Sequence, residues 1–120
     1  HIDSTIVPLR SGLAICNKPR VKSKRYLPPC MKDWEIIWVE DVTAQVFYQY
    51  PYASKWIGLN MLVVNPTTVI MDTAQIELSK TLEKKGFTVI PHTLRHSRTL
   101  GGGHHCVTLD TWRESRPHHA

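Results

Sequence analysis

No apolar run in this 120-residue chain approaches the roughly 20 residues that a membrane helix needs. No stretch reads as a secretory signal. Cysteine is scarce: Cys16, Cys30 and Cys106 do not make a disulfide framework, and a reducing, cytoplasmic setting is the expectation. The glycines do not form a Gly-x-Gly-x-x-Gly fingerprint, and a phosphate-binding loop is unsupported. His92 and His96 have the i, i+4 spacing of a zinc-protease helix but lack its glutamate, and no second cysteine stands at zinc-finger spacing. No metal and no cofactor are therefore expected. Acidic residues are the minority, 10 against 15 basic ones, for a net charge of +5. The basic excess is densest at Arg20, Lys22, Lys24 and Arg25, in a proline-containing stretch without the interleaved aromatics of a nucleic-acid face. A solvated loop is the better reading, with no nucleic-acid and no membrane partner.

What is present fits one small domain, with an ordinary 42% of hydrophobic residues. Residues 5–10 read as a strand, Ser11-Gly12 as a turn and residues 13–17 as a second strand. A basic, proline-rich loop follows. A short helix is expected within 27–33, with Pro28 and Pro29 near its start, and a strand over 35–39. The pattern then returns. Residues 61–64 are apolar, 65–67 form a turn and 68–71 a strand. Residues 76–85 read as a helix with Ile76, Leu78 and Leu82 on its apolar side and Gly86 as its stop, and 87–90 as the next strand. The same strand–turn–strand–helix–strand unit thus occurs twice, which points to a modular α/β fold.

The chemistry gathers at Gly101-Gly102-Gly103-His104-His105-Cys106, ahead of a strand-like run, Val107-Thr108-Leu109. Glycines let a ligand come close. A cysteine on such a loop can meet a substrate, and its neighbours can offer backbone N–H donors. On the residues alone, Cys106 reads equally as a reactive thiol or as packing. Cys16, in an apolar run, and Cys30, after two prolines, read as structural. His1 by itself reads as an appended terminal residue, and so do His118 and His119. Asp3 by itself reads as a solvated turn carboxylate, and Arg20 as an exposed loop residue.

Taken together and in order, His1-Ile2-Asp3, Pro19-Arg20, Ser54-Lys55-Trp56, Asn60, Arg95 and Leu100 to Cys106 resemble the glycine amidinotransferase family. The resemblance covers almost the whole chain and fades after Asp110. It implies an α/β-propeller (pentein) fold, of which this chain holds about two of five ββαβ modules, as the C-terminal part, residues 1–120, of a longer catalytic domain. The missing initiator Met agrees with a fragment and also with a processed chain. The resemblance further implies transfer of the amidino group of L-arginine to an acceptor amine, with glycine the natural one. The transfer would run through a covalent amidino-cysteine and release ornithine.

In that scheme Cys106 is the nucleophile and His1 the general acid and base. Asp3 holds the substrate guanidinium, Arg20 its carboxylate, and Ser54 lines the substrate site. His105 matches a histidine beside the nucleophile, whereas His104 stands where a bulky apolar residue is common. Ala53 replaces a second substrate-binding serine, which leaves the acceptor open. Relatives with lysine or inosamine-phosphate acceptors serve antibiotic or toxin biosynthesis. The family's acidic catalytic partner would lie upstream of His1, so the isolated chain is expected to be inactive. A homodimer of the full-length protein is left open. Two other readings stand beside this one: a guanidino hydrolase of the arginine deiminase type, and a metal- or nucleic-acid-binding module using the histidines and the basic loop.

Overall fold

The computed structural model describes residues 2–43 and 53–114. It is α/β and holds two copies of one topology. In the first copy, β1 (Ile6–Arg10) and β2 (Leu13–Asn17) form an antiparallel hairpin. The chain crosses through α1 (Lys18–Val21) and two 3-10 turns (Lys24–Tyr26 and Pro29–Met31), then returns as β3 (Glu35–Val39) parallel to β2. In the second copy, β4 (Leu62–Asn65) and β5 (Thr68–Asp72) form the hairpin, α2 (Ile76–Lys84) is the crossover, and β6 (Thr88–His92) lies parallel to β5. Both hairpins carry a register shift at the matching place, between Pro8 and Arg10 and between Val63 and Asn65. The repeat read from the sequence is therefore a structural one.

The two crossovers differ for a local reason. Expected as a short helix, 27–33 holds only the 3-10 turn Pro29–Met31. Consecutive prolines remove two backbone donors, and the residue before a proline is pushed to extended backbone. In α1, by contrast, Asn17 caps the helix by accepting the Arg20 N–H, and Pro19 falls in the first turn, where its missing donor is harmless. Helix α2 buries Leu78 and Leu82. Ile76, expected on the same apolar side, opens the helix and is exposed.

Helix α2 ends in a pair of reverse bonds, from the Gly86 N–H to Glu83 O and from the Phe87 N–H to Leu82 O. That closure needs Gly86 at φ +92°, a region that side chains disfavour. A methyl group there would meet no neighbouring atom within 4 Å, so strain alone decides the outcome. Gly86→Ala should destabilise the fold by about 1 kcal/mol, read as a fall in urea midpoint without a change in slope.

One core joins the two copies. Val7, Leu9, Leu13 and Ile15 from the first hairpin pack with Val69, Met71, Leu82 and Phe87 of the second copy and with Leu59 and Met61 just ahead of it. A smaller core covers the other face of the first sheet, with Ala14, Cys16, Val21, Leu27 and Met31. Strand β2 is covered on both sides, which is why all five of its residues are buried. Cys16 lies inside as expected, and burial pushes its thiol pKa up. Cys30 is exposed, contrary to the structural role read for it. At the seam, the Arg10 guanidinium bonds Pro66 O at 3.2 Å and Lys85 O at 3.1 Å, and lies 4.8 Å over the Phe87 ring. Lys85 in turn pairs with Glu35.

Candidate active site

Three short segments meet where the two copies join. The first is the 3-10 turn Ile2–Ser4, which carries Asp3. Asp3 lies in a turn, as its residue type alone suggests, and β1 begins at Ile6, where the hairpin register starts with the Ile6–Cys16 pair. Beyond that pair the Thr5 N–H closes the turn on Ile2 O, the Asn17 N–H bonds Thr5 O, and side chains add to these. The Asn17 amide donates to Ser4 O at 3.4 Å, and the Arg20 guanidinium donates to Ser4 Oγ at 3.1 Å and Thr5 Oγ1 at 3.0 Å. Asn17 and Ser4 are both buried.

The second segment is the turn through His104 and Cys106. It follows α3 (Ser97–Leu100), which ends at Gly101 with φ +76°. The strand expected after Cys106 is absent. Val107 N–H returns to Gly103 O and Thr108 N–H to His105 O, so the backbone folds on itself. Residues 108–114 then run without regular structure.

The third segment is the 3-10 turn Lys55–Leu59, ending at Asn60. Ser54 opens it by accepting the Trp56 N–H at 3.3 Å. The turn packs against both Ile2–Ser4 and α3. Asn60 then receives the cysteine loop. Its backbone oxygen accepts the His104 N–H at 2.9 Å. Its Oδ1 accepts the His105 N–H at 3.0 Å and the Cys106 N–H at 3.1 Å. Gly103 makes this approach feasible, since a Cβ there would fall 2.5 Å from the Asn60 Cβ. The backbone N–H groups of residues 105 and 106 are thus turned inward to Asn60.

The outcome is a sulfur beside a carboxylate. Cys106 Sγ lies 3.2 Å from Asp3 Oδ2, and Cys106 is exposed. Asp3 and His105 border a cleft of about 650 Å³ whose other walls include Ile2, Val7, Leu9 and Trp34. Cys106, Arg20 and Ser54 do not line that cleft, and Cys106 reaches it only through Asp3 and His105 at its border. Arg20 holds the turn that carries Asp3, and Ser54 caps the turn that leads to Asn60. His1, expected as the acid–base residue, lies outside the described residues, as do His118 and His119.

His104 occupies a buried position, in keeping with a place where a bulky apolar residue is common. Its Nε2 lies 3.2 Å from His92 Nδ1 with the rings edge to face. His92 therefore partners His104. Among the described residues, no three His, Cys, Asp or Glu side chains converge as a metal cage would require. Burial, and secondarily His92, pushes the His104 pKa below its ordinary value of 6.5. The unfolded chain therefore binds the proton more readily than the folded one. Stability should be full above pH 6.5 and fall as pH drops below it, toward the lowered folded value. Melting temperatures from pH 7.5 to 5.5 test this, and His104→Leu should flatten the profile.

Asn60 was recognised in the sequence only as part of a motif. Its signal was available: it is the one polar side chain in the apolar run 56–64. A polar residue so placed is buried with a job for its hydrogen bonds.

Known proteins share this arrangement of segments. Inosamine-phosphate amidinotransferase 1 of Streptomyces griseus is 46% identical over 117 residues, which are 97% of this chain and 33% of that protein. Glycine amidinotransferase of Xenopus laevis is 30% identical over 122 residues, covering 94% of this chain and 26% of that protein. The solved structure of the Streptomyces griseus inosamine-phosphate enzyme superposes with a TM-score of 0.88 at 44% identity, over 97% of this chain and 33% of that one. An amidinotransferase of the saxitoxin biosynthetic pathway from Microseira wollei gives 0.86 at 31% identity, over 97% of this chain and 34% of that one. No protein-family model matches the chain. The chain spans about a quarter to a third of the length of these relatives. Its two ββαβ units are a part of their pentein, or α/β-propeller, fold.

Proposed function

We propose, from the premise that this chain belongs to the amidinotransferase family, that the protein carrying it moves an amidino group from arginine to an amine through Cys106. The observation that carries this reading is the 3.2 Å contact between Cys106 Sγ and Asp3 Oδ2. A thiolate and a carboxylate side by side complement a planar cation, and a guanidinium can offer its N–H groups to the carboxylate while its carbon faces the sulfur. The inward-turned N–H groups of residues 105 and 106 support the same reading. A site built for an oxyanion would aim donors at the reacting atom. Here an acceptor faces it.

The reaction would run in two halves. The Cys106 thiolate adds to the guanidino carbon, and the bond from that carbon to the ornithine nitrogen breaks as the leaving amine takes a proton. The amidino group stays on sulfur. The acceptor amine then loses a proton, attacks the same carbon and expels the thiolate. His1 is the proposed carrier of both protons, in keeping with an imidazole's ordinary pKa. Arg20 and Ser54 are proposed to act on substrate through the turns they fasten.

For the acceptor, glycine is one candidate. The higher identity with the inosamine-phosphate enzyme, 46% against 30% for a glycine enzyme, favours an inosamine phosphate. Full-length protein given arginine with glycine, lysine or an inosamine phosphate, and followed by mass spectrometry, tests the proposal. Ornithine with an amidinated inosamine phosphate is the expected result. Citrulline in place of ornithine would overturn transfer in favour of hydrolysis.

A further inference from the structure

We propose that Asn60 is a positioning residue for the nucleophile, setting where the Cys106 sulfur stands relative to the carboxylate of Asp3. This rests on the reading of Cys106 as the attacking thiolate. The backbone N–H groups of three successive residues, 104, 105 and 106, all end on Asn60, one on its main-chain oxygen and two on Oδ1. Among the described residues, the loop's other ties are the His104 ring on His92, the sulfur on Asp3, and the Val107 and Thr108 N–H groups, which close back on Gly103 O and His105 O. Ahead of the cysteine lie three glycines, which give the chain little stiffness of its own.

Asn60 is 1% exposed and is itself rigidly placed, at the end of the turn Lys55–Leu59 with its N–H on Ile57 O. Its carboxamide is not there to satisfy both of its ends. Nδ2 is buried and has no partner among the described residues. A buried donor left unpaired is a destabilising feature. Leucine would fill the same space without it. What leucine cannot supply is the oxygen that receives two N–H groups. Gly103 is part of the same device, because a Cβ there would fall 2.6 Å from Oδ1 and 2.8 Å from Cγ of Asn60. Such a methyl would push the loop off its seat.

The consequence is a separation between placing the sulfur and making it reactive. Asn60 bonds the Cys106 N–H and does not line the cleft. A change there should alter how well the sulfur meets a bound guanidinium carbon, not whether a thiolate exists. A displacement of an ångström at a reacting atom lowers a rate by about a hundredfold.

The test uses the full-length protein and three variants. Single-turnover amidination of Cys106 by arginine is measured beside its alkylation by iodoacetamide, a small reagent that needs no fixed geometry. Asn60→Leu should slow amidination by about a hundredfold, with little change in KM for arginine and in the alkylation rate. Asn60→Asp keeps the accepting oxygen and should recover most of the amidination rate. Gly103→Ala should reproduce the Asn60→Leu pattern, and it serves as the deciding variant if Asn60→Leu does not fold. Wild-type amidination in Asn60→Leu or Gly103→Ala would overturn the inference, as would an equal fall of amidination and alkylation. Cys106→Ala is the control for the underlying reading. If that variant still transfers the amidino group, the nucleophile assignment fails whatever Asn60 does.

Discussion

Full-length protein carrying Cys106→Ala is expected to form no covalent intermediate with arginine and to lose transfer by more than a thousandfold. The scale follows from what covalent catalysis supplies. A single barrier is split in two by a nucleophile that is far stronger than a hydroxyl or a bare amine, and each about 1.4 kcal/mol of barrier is a factor of ten. Cys106→Ser should fail almost as badly, because the serine hydroxyl has no thiolate-like form near neutral pH. The other two cysteines are no substitute. Cys16 is sealed in the core, and Cys30 belongs to the turn Pro29–Met31. Intact-mass measurement after mixing with arginine reads the result directly. A wild-type sample should gain one amidino group at Cys106, and neither variant should.

Asp3→Asn should lower kcat/KM for arginine by roughly a hundredfold, since hydrogen bonds to a charged partner are worth about 1.5–3 kcal/mol. The change keeps shape and removes the charge that faces the sulfur at 3.2 Å. The turn that carries residue 3 should survive, because it is fastened through Ser4, Thr5, Asn17 and Arg20. The melting temperature is therefore expected to hold while the kinetic constants move. A neutral isostere of arginine should discriminate less between wild type and variant than arginine does. If Asp3→Asn binds and turns over arginine normally, the carboxylate is not the guanidinium's partner.

Much of this architecture could be read before any coordinates. Both hairpins, the α2 crossover and its glycine stop follow from local signals: alternating apolar residues, turn residues and a helical period that ends at Gly86. The meeting of Asp3 with Cys106 was reachable only through the resemblance, since no periodicity joins residues a hundred positions apart. Two shapes that carry the site were not legible: no element was assigned to Ile2–Ser4, and the run after Cys106 reads as strand-like. Neither conformation is decided by its own residues alone. One depends on Asn17 and Arg20 reaching back to Ser4 and Thr5, and the other on Asn60 reaching across to residues 104–106. The burial of His104 fits its position, but its contact with His92 of β6 has no local signal.

The Cys106–Asp3 contact spans 103 positions in sequence. Closing so long a loop carries a larger entropic cost than closing either hairpin, and contacts of that kind form after local ones have reduced the search. Each ββαβ unit can assemble its hairpin and crossover from neighbours in sequence. The site cannot, because its carboxylate and its sulfur belong to different units and meet only once Arg10 and the shared core have joined them. The chemistry proposed for Cys106 would thereby be withheld from a partly folded chain. A nascent or damaged protein can hold nearly all its secondary structure and still present a cysteine with no carboxylate beside it.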